Sequence, residues 1–345
     1  MAYTTINKAK VNMNTVIYNG NAGTQSITGV GFQPDLTWIK NRAGSAENHA
    51  WTDVVRGVTK TLSCNSTGAE TTVADGLTAF GADGFTLGAS DQFNGSSGRT
   101  YVSWNWKAGG TGSANSSGSI ASTVSANTTA GFSVVEWSGS AANATIGHGL
   151  GAVPSFIITK DTNDTYNWGV YHQSMGNTKY LYLNTSGAEA TSTSAWNDTT
   201  PTATVFSVGN AGATNASGTN NMIAYCFAEK PGYSKFSAYK GNGNANGAFV
   251  YTGFRPSFIL IRNKTDSGEM WEMFDDKRLG YNEKNYRIYS NASDVQDTSI
   301  RLDMLSNGFK IRTTGSHVNE NGDTMVYAAF GQSLVGTNDT VANAR

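Results

Sequence analysis

Charge is scarce in this sequence. Lys and Arg number 24, Asp and Glu 25, so charged residues make up 14% of 345 and the net charge is −1. An average domain carries about 25%. A nucleic-acid partner needs clustered Lys and Arg to displace the counterions of its phosphates, so no nucleic-acid partner is expected. Cysteine is limited to Cys64 and Cys226. They fall at unrelated places in the pattern described below, which argues against a disulfide and for two isolated buried thiols, as in a reducing compartment. No apolar run approaches the roughly 18–20 residues of a membrane helix, so no membrane insertion is expected. The start MAYTTINKAK lacks the apolar stretch of about 7–15 residues of a secretory leader, and none is expected. Proline occurs five times, mostly at places that repeat.

What the chain has is glycine, 40 of 345 residues, and 11% aromatics. It also has an internal repeat. KTLSCNSTGAE (Lys60–Glu70) returns as KYLYLNTSGAE (Lys179–Glu189). Upstream, GFQPDLTWIKNR, GAVPSFIITKDT and GFRPSFILIRNK place Pro34, Pro154 and Pro256 before apolar runs. A tryptophan follows in each copy (Trp51, Trp168, Trp271), then an asparagine (Asn65, Asn184, Asn291), then a phenylalanine (Phe85, Phe206, Phe309). Each copy closes on NGSSGRTYVSWNW, NASGTNNMIAYCF or NENGDTMVYAAF, ending at Trp106, Phe227 and Phe330. From the first copy to the second, the Pro, Trp, Asn and Phe offsets are 120, 117, 119 and 121. From the second to the third they are 102, 103, 107 and 103. Ordered anchors at near-constant offsets identify a triplicated unit.

The apolar period within a unit is near two. In TYVSWNW, Val102, Trp104 and Trp106 share a face, while FIITK and FILIR are nearly all apolar, as strands covered on both sides should be. Gly, Asn and Asp clusters punctuate the runs, and no stretch carries a helical stripe. The expected fold is all-β: three tandem antiparallel β-sandwich units of jelly-roll or concanavalin-like type. The expected division is an N-terminal arm (1–15), repeat 1 (16–107), a Gly/Ser/Thr-rich linker (108–131), repeat 2 (132–229), repeat 3 (230–330) and a C-terminal tail (331–345). The prolines suit strand entrances. Trp51, Trp168 and Trp271, with Trp106, Phe227 and Phe330, are expected to fill the core. Gly98, Gly218 and Gly322 are expected to supply positive φ in hairpins.

Catalytic chemistry finds little support. His49, His148, His172 and His317 lack zinc-site spacing, and neither a GxSxG elbow nor a Walker loop occurs. GHGLG and GNGNANG lead into strands rather than helices, so they read as hairpin loops rather than phosphate cradles. DTNDT and NENGD do not complete a calcium loop. Asp275 and Asp276 follow Trp271 as Asp53 follows Trp51, but repeat 2 reads VYHQ there. Asp275 is therefore expected to be a turn residue or to form an ion pair with Lys277 or Arg278, rather than to act catalytically. No catalytic residue, cofactor or metal is expected. The aromatics outside the repeat scheme are the candidates for glycan or partner contact: Trp196 with Asp198 in an extra loop, and Trp137 where the other copies have Tyr18 and Tyr239.

GFQPDLTWIKNR, WTDVVRGVTKTLSCN, GFTLG and YVSWNWKAGG, together with the opening MAYTTINK and closing VANAR, resemble the tandem-repeat virion structural proteins of tailed marine phages of cyanophage and pelagiphage type. The resemblance covers nearly the whole chain and is weakest in repeat 3, which has EMWEMFDDKRLG in place of HAWTDVVRG. It implies concanavalin-like sandwiches and a non-enzymatic structural role on the particle exterior, in a tail fibre, another appendage or a capsid decoration. It implies synthesis in the bacterial host cytoplasm and virion partners (portal, tail, capsid or fibre). A homo-oligomer, with a trimer as the expected form, goes with it, as does a host-surface glycan for a receptor-binding adhesin. The N-terminal arm is expected to dock by strand addition.

Overall fold

The structure is a computed structural model and describes residues 4–96, 98–278, 282 and 286–333. The chain is all-β, and its α-helices are single turns of four residues, such as Asp91–Asn94 and Ser316–Asn319. Among the described residues no helix is long and apolar enough to cross a membrane. The C-terminal tail lies outside the described residues from position 334 onward.

The triplication reappears as one pairing scheme used three times. Strand Thr100–Trp106 lies between Met13–Asn19 and Leu36–Ala43, and the latter also pairs with Ala50–Asp53. Asn221–Phe227 lies likewise between Phe132–Ser138 and Phe156–Asp161, which pairs with Gly169–His172. Thr324–Ser333 lies between Ser234–Lys240 and Phe254–Asn263, which pairs with Glu272–Asp275. Register aligns them residue by residue. Leu36 faces Trp106, Phe156 faces Phe227, and Phe258 faces Phe330. Pro34 and Pro154 precede their strands, while Pro256 lies inside one, at a bulge between Pro256 and Phe258. There the missing N–H would otherwise interrupt the ladder.

Each main sheet buries both faces, which explains its nearly unbroken apolar runs. One face meets its own segment's smaller strands. Ile39 and Tyr101 pack with Ile27, Phe85 and Leu87. Ile157 and Ala224 pack with Ile146, Phe206 and Val208, and Ile259 and Tyr327 with Val250, Phe309 and Ile311. The opposite faces of all three sheets converge on a single shared core. At its centre Trp106, Phe227 and Phe330 form a triangle, with ring centroids 6.3, 5.7 and 5.6 Å apart. Aromatic edges meet faces at these separations, so the chain has a pseudo-threefold axis through three residues that repeat.

Two expected connections are part of the folded body. The segment 108–131 contains strands Ser113–Asn115 and Ser122–Asn127, which extend the second main sheet. The N-terminal arm packs on its own chain. Ile6 and Ala9 enter the shared core, and the Ala9 N–H donates to Gln332 Oε1 at 2.8 Å. Gly98 and Gly322 have φ of 98° and 84°, whereas Gly218 is not in the positive-φ region.

Candidate functional site

The three segments meet along seams that close on themselves. The Glu70 N–H donates to the Thr162 carbonyl, Glu189 to Lys264, and Gln296 to Arg42, at 2.8–3.0 Å. These are equivalent positions, so each segment bonds to the next and the third returns to the first. A ring N–H crosses each seam in the same way. Trp168 Nε1 donates to the Ser63 carbonyl at 3.2 Å and Trp271 Nε1 to Tyr182 at 3.0 Å. At the remaining seam the ring is His49, whose Nε2 lies 2.9 Å from the Tyr289 carbonyl. Trp38 donates to its Nδ1 at 2.8 Å, so Nε2 carries the proton and the imidazole is neutral. Burial and the nearby Lys40 charge hold its pKa well below the usual histidine range.

This geometry corrects the tryptophan alignment. Backbone N–H groups of His49, Trp168 and Trp271 bond to Asn65, Asn184 and Asn291 Oδ1, at 2.9–3.0 Å. The counterpart of Trp168 and Trp271 is therefore His49. Trp51 stands opposite Trp38, where the other segments place Val170 and Met273. All four residues are in the shared core, so Trp51 remains a core residue.

The carboxylates considered for catalysis also belong to the seams. Asp53, His172 and Asp275 occupy equivalent strand positions. Asp53 pairs with Arg56 at 2.6 Å and accepts from Tyr225 of the second segment at 2.8 Å. Asp275 pairs with Arg278 at 2.5 Å and accepts from Trp104 of the first at 3.0 Å. In the second segment Met175 replaces the arginine, and neutral His172 bonds through Nε2 to the Tyr327 carbonyl at 3.1 Å. Acid and base are replaced together, because either charge alone would be buried without compensation.

Repeat 3 has a further charged cluster. Glu272 occupies the position of Ala50 and Gly169 and is fully buried. Arg287 meets it at 2.6 Å and also pairs with Asp297 at 2.9 Å. Desolvation raises the Glu272 pKa, opposed by Arg287 and Arg301.

An opening of about 360 Å³ lies at the seam between the first and second segments. Arg56, Ala69, Glu70, Glu136, Thr162, Asn163 and Asn221 line it. Arg56 and Lys60 approach Glu70 at 3.2 and 3.4 Å. Glu136 is half-buried. Desolvation, with Asp53 adding repulsion, raises its pKa. Among the described residues no group of three or more His, Cys, Asp or Glu side chains could hold a metal ion.

The residues chosen for glycan contact are mostly inaccessible. Trp196 and Trp137 are 1% and 2% exposed and lie in the second segment's own core. Trp196 packs edge-on against Tyr171, and Trp137 against Phe206. Neither ring offers a face to a sugar, because both are buried in the second segment's core. Asp198 is exposed in a left-handed turn (φ 45°). Register confirms that Trp137 stands where the other segments have Tyr18 and Tyr239. All three fasten the main sheet to a one-turn helix. Tyr18 and Tyr239 donate to the Phe93 and Val318 carbonyls at 2.8 Å, and Trp137 to Asn215 at 3.4 Å.

Sequence reasoning missed Asn94, Asn215 and Asn319, which end those helices and are fully buried. Each Oδ1 accepts a backbone N–H, from Asn21, Ser140 and Asn242 respectively. Each Nδ2 donates to carbonyls on two separate loops: Gly23 and Gly88, Ala142 and Gly209, Asn244 and Thr313. Their signal was available, since each precedes its closing hairpin at the same distance from Trp106, Phe227 or Phe330, within one residue.

The pairing scheme spans nearly the whole chain, and so does its family match. Residues 8–333 match the family described as Domain of unknown function (DUF7483). The chain belongs to the DUF7483 family. No curated protein and no solved structure matches it. For this DUF7483 member the three seams and the opening between the first two segments are therefore the places where geometry bears on function.

Proposed function

We propose that the protein is a non-enzymatic structural component of a phage virion, displayed on the particle exterior in a tail fibre, another appendage or a capsid decoration. We read its three segments as tandem antiparallel β-sandwiches of concanavalin-like type. The observation that carries the reading is the closed cycle of seams around Trp106, Phe227 and Phe330. The repeated residues are spent on building one rigid body. The Asp275 carboxylate, the strongest catalytic candidate, is occupied by Arg278, Trp104 and two backbone N–H groups. A general acid or base needs a free approach to its substrate. The cycle gives one chain the threefold arrangement that a trimer builds from three. A single-chain building block is the simpler form, and mass measurement in solution distinguishes it from a homotrimer. Mass spectrometry of purified virions tests the placement, and absence from the particle overturns it.

A second reading, a glycan-binding adhesin, has its own observation. Phe249 and Tyr251 are 49% and 60% exposed on one face of an edge strand. Side-by-side exposed rings suit stacking on pyranose faces. A glycan array with the full chain tests it, and a blank array at millimolar sensitivity removes it.

A further inference from the structure

The three seams are equivalent in backbone and unequal in side chains. Arg42, Thr162 and Lys264 occupy one position, six residues beyond Leu36, Phe156 and Phe258. Across the third-to-first seam, Arg42 Nε donates to Gln296 Oε1 at 3.1 Å. Across the second-to-third seam, Lys264 Nζ meets Glu189 Oε2 at 2.7 Å. There burial alone would raise the Glu189 pKa, and the bonds from Lys179 and Lys264 bring it below the usual range. Both seams are thus plugged by a basic side chain reaching the residue five beyond the repeated asparagine.

At the first-to-second seam the plug is missing. Thr162 meets Glu70 only through its backbone carbonyl, and the opening of about 360 Å³ lies there. The lining has also gained an acid. Glu136 stands where the other seams have Ile17 and Ala238. Arg56 replaces the lost plug only in part. Its Nη1 reaches Glu70 Oε2 at 3.2 Å, but Asp53 holds its Nε at 2.6 Å, and its counterpart Arg278 is present at the third-to-first seam together with Arg42. The opening therefore sets two cations, Arg56 and Lys60, against three carboxylates, Asp53, Glu70 and the added Glu136, beside the amides of Asn163 and Asn221.

We propose that this opening receives one cationic side chain, the arginine or lysine of a partner protein, in the place that Arg42 and Lys264 fill at the other seams. Glu136 is its main acceptor, Glu70 shares its carboxylate between the newcomer, Arg56 and Lys60, and the Asn221 side-chain amide in the lining serves a remaining donor. A guanidinium suits this set, with five donors in a planar fork. Ala69 is the only apolar side chain in the lining, so the wall gives a free small molecule little apolar surface to bury. A side chain held on a partner brings the rest of its interface with it. The inference stands independently of the virion reading.

The test is an NMR titration of the full chain with N-acetyl-arginine amide, with its uncharged isostere N-acetyl-citrulline amide as control. The expected result is saturable, millimolar shifts of the Thr162, Asn163 and Asn221 amides with the charged compound only. Glu136→Gln weakens the response about tenfold, the scale of one lost charge-assisted hydrogen bond. Thr162→Lys, which restores the internal plug, abolishes the response and raises Tm. Equal responses to both compounds, or no response to the arginine compound, overturn the proposal. A saturable calcium response that Glu136→Gln removes, with none to arginine, overturns it in favour of a metal site.

Discussion

The indole N–H of Trp104 donates to Asp275 Oδ2 at 3.0 Å, joining the first segment to the third across 171 residues of chain. The same carboxylate holds Arg278 at 2.5 Å, with both side chains fully buried. Asp275→Ala leaves that guanidinium without its counter-charge and is expected to cost about 3–5 kcal/mol. Arg278→Met has the converse effect. The double variant Asp275→Asn/Arg278→Met is expected to cost less than the sum of the single changes, because the second segment tolerates the joint replacement at His172 and Met175. A double-mutant cycle by urea denaturation measures the difference.

Asn215 shows what a single buried amide can hold. Its Nδ2 donates to Ala142, Gly209 and Ser140, and its Oδ1 accepts from the Ser140 backbone. Asn215→Ala is expected to cost at least about 2 kcal/mol, since buried carbonyls lose their donors. Asn215→Asp is expected to be no milder, because it turns an oxygen toward those carbonyls. Thermal unfolding of the two variants checks both statements.

His172 is buried in its neutral form, with Ser174 donating to Nδ1 and Nε2 facing the Tyr327 carbonyl. Desolvation lowers its pKa to about 4 from 6.5. Between those values the unfolded chain binds a proton that the folded chain refuses. Stability therefore falls as pH drops from 6.5 to 4, by about 3 kcal/mol for this group, and the effect levels off below 4. His172→Gln is expected to flatten this limb of the stability–pH curve. An unchanged slope by urea denaturation would contradict it.

Trp196 and the pair Phe249 and Tyr251 separate burial from recognition. Trp196→Ala is expected to cost about 3–5 kcal/mol as a core truncation. Phe249→Ala and Tyr251→Ala are expected to change stability by no more than about 0.5 kcal/mol, as exposed substitutions do. Any glycan binding should be lost in the latter two variants.

Phe330 touches Trp106, Phe227, Tyr233 and Phe236, so its truncation reaches all three segments at once. Phe330→Ala is expected to lower stability by about 3–5 kcal/mol while the chain still unfolds in one calorimetric transition. Separate transitions would mean that the segments are stable independently of the shared core.

Much of this organisation was legible before any coordinates. Alternating strands, Pro34 and Pro154 at strand entrances and the Asn65, Asn184 and Asn291 turns are local, and local geometry leaves a period in the sequence. The misplaced tryptophan was legible too. The offset from Trp51 to Trp168 is 117, whereas His49 to Trp168 is 119, matching Asn65 to Asn184. Residue type misled where spacing did not. Trp196 and Trp137 failed as binding candidates for another reason: a sequence shows that a ring lies outside the repeat scheme, and only packing shows whether its face is covered.

The sequence by itself determined the all-β class, the triplication and the residues of the aromatic centre, because periodicity and recurrence follow from backbone geometry and burial. Only the tertiary structure decided that the three main sheets share one core and close into a cycle. It alone showed that Asp53 and Asp275 serve the seams, and that an opening lies beside Thr162, while Arg42 and Lys264 bridge the other two seams. Those outcomes depend on which residues meet across a hundred or more positions of chain, and such contacts leave no local period to read.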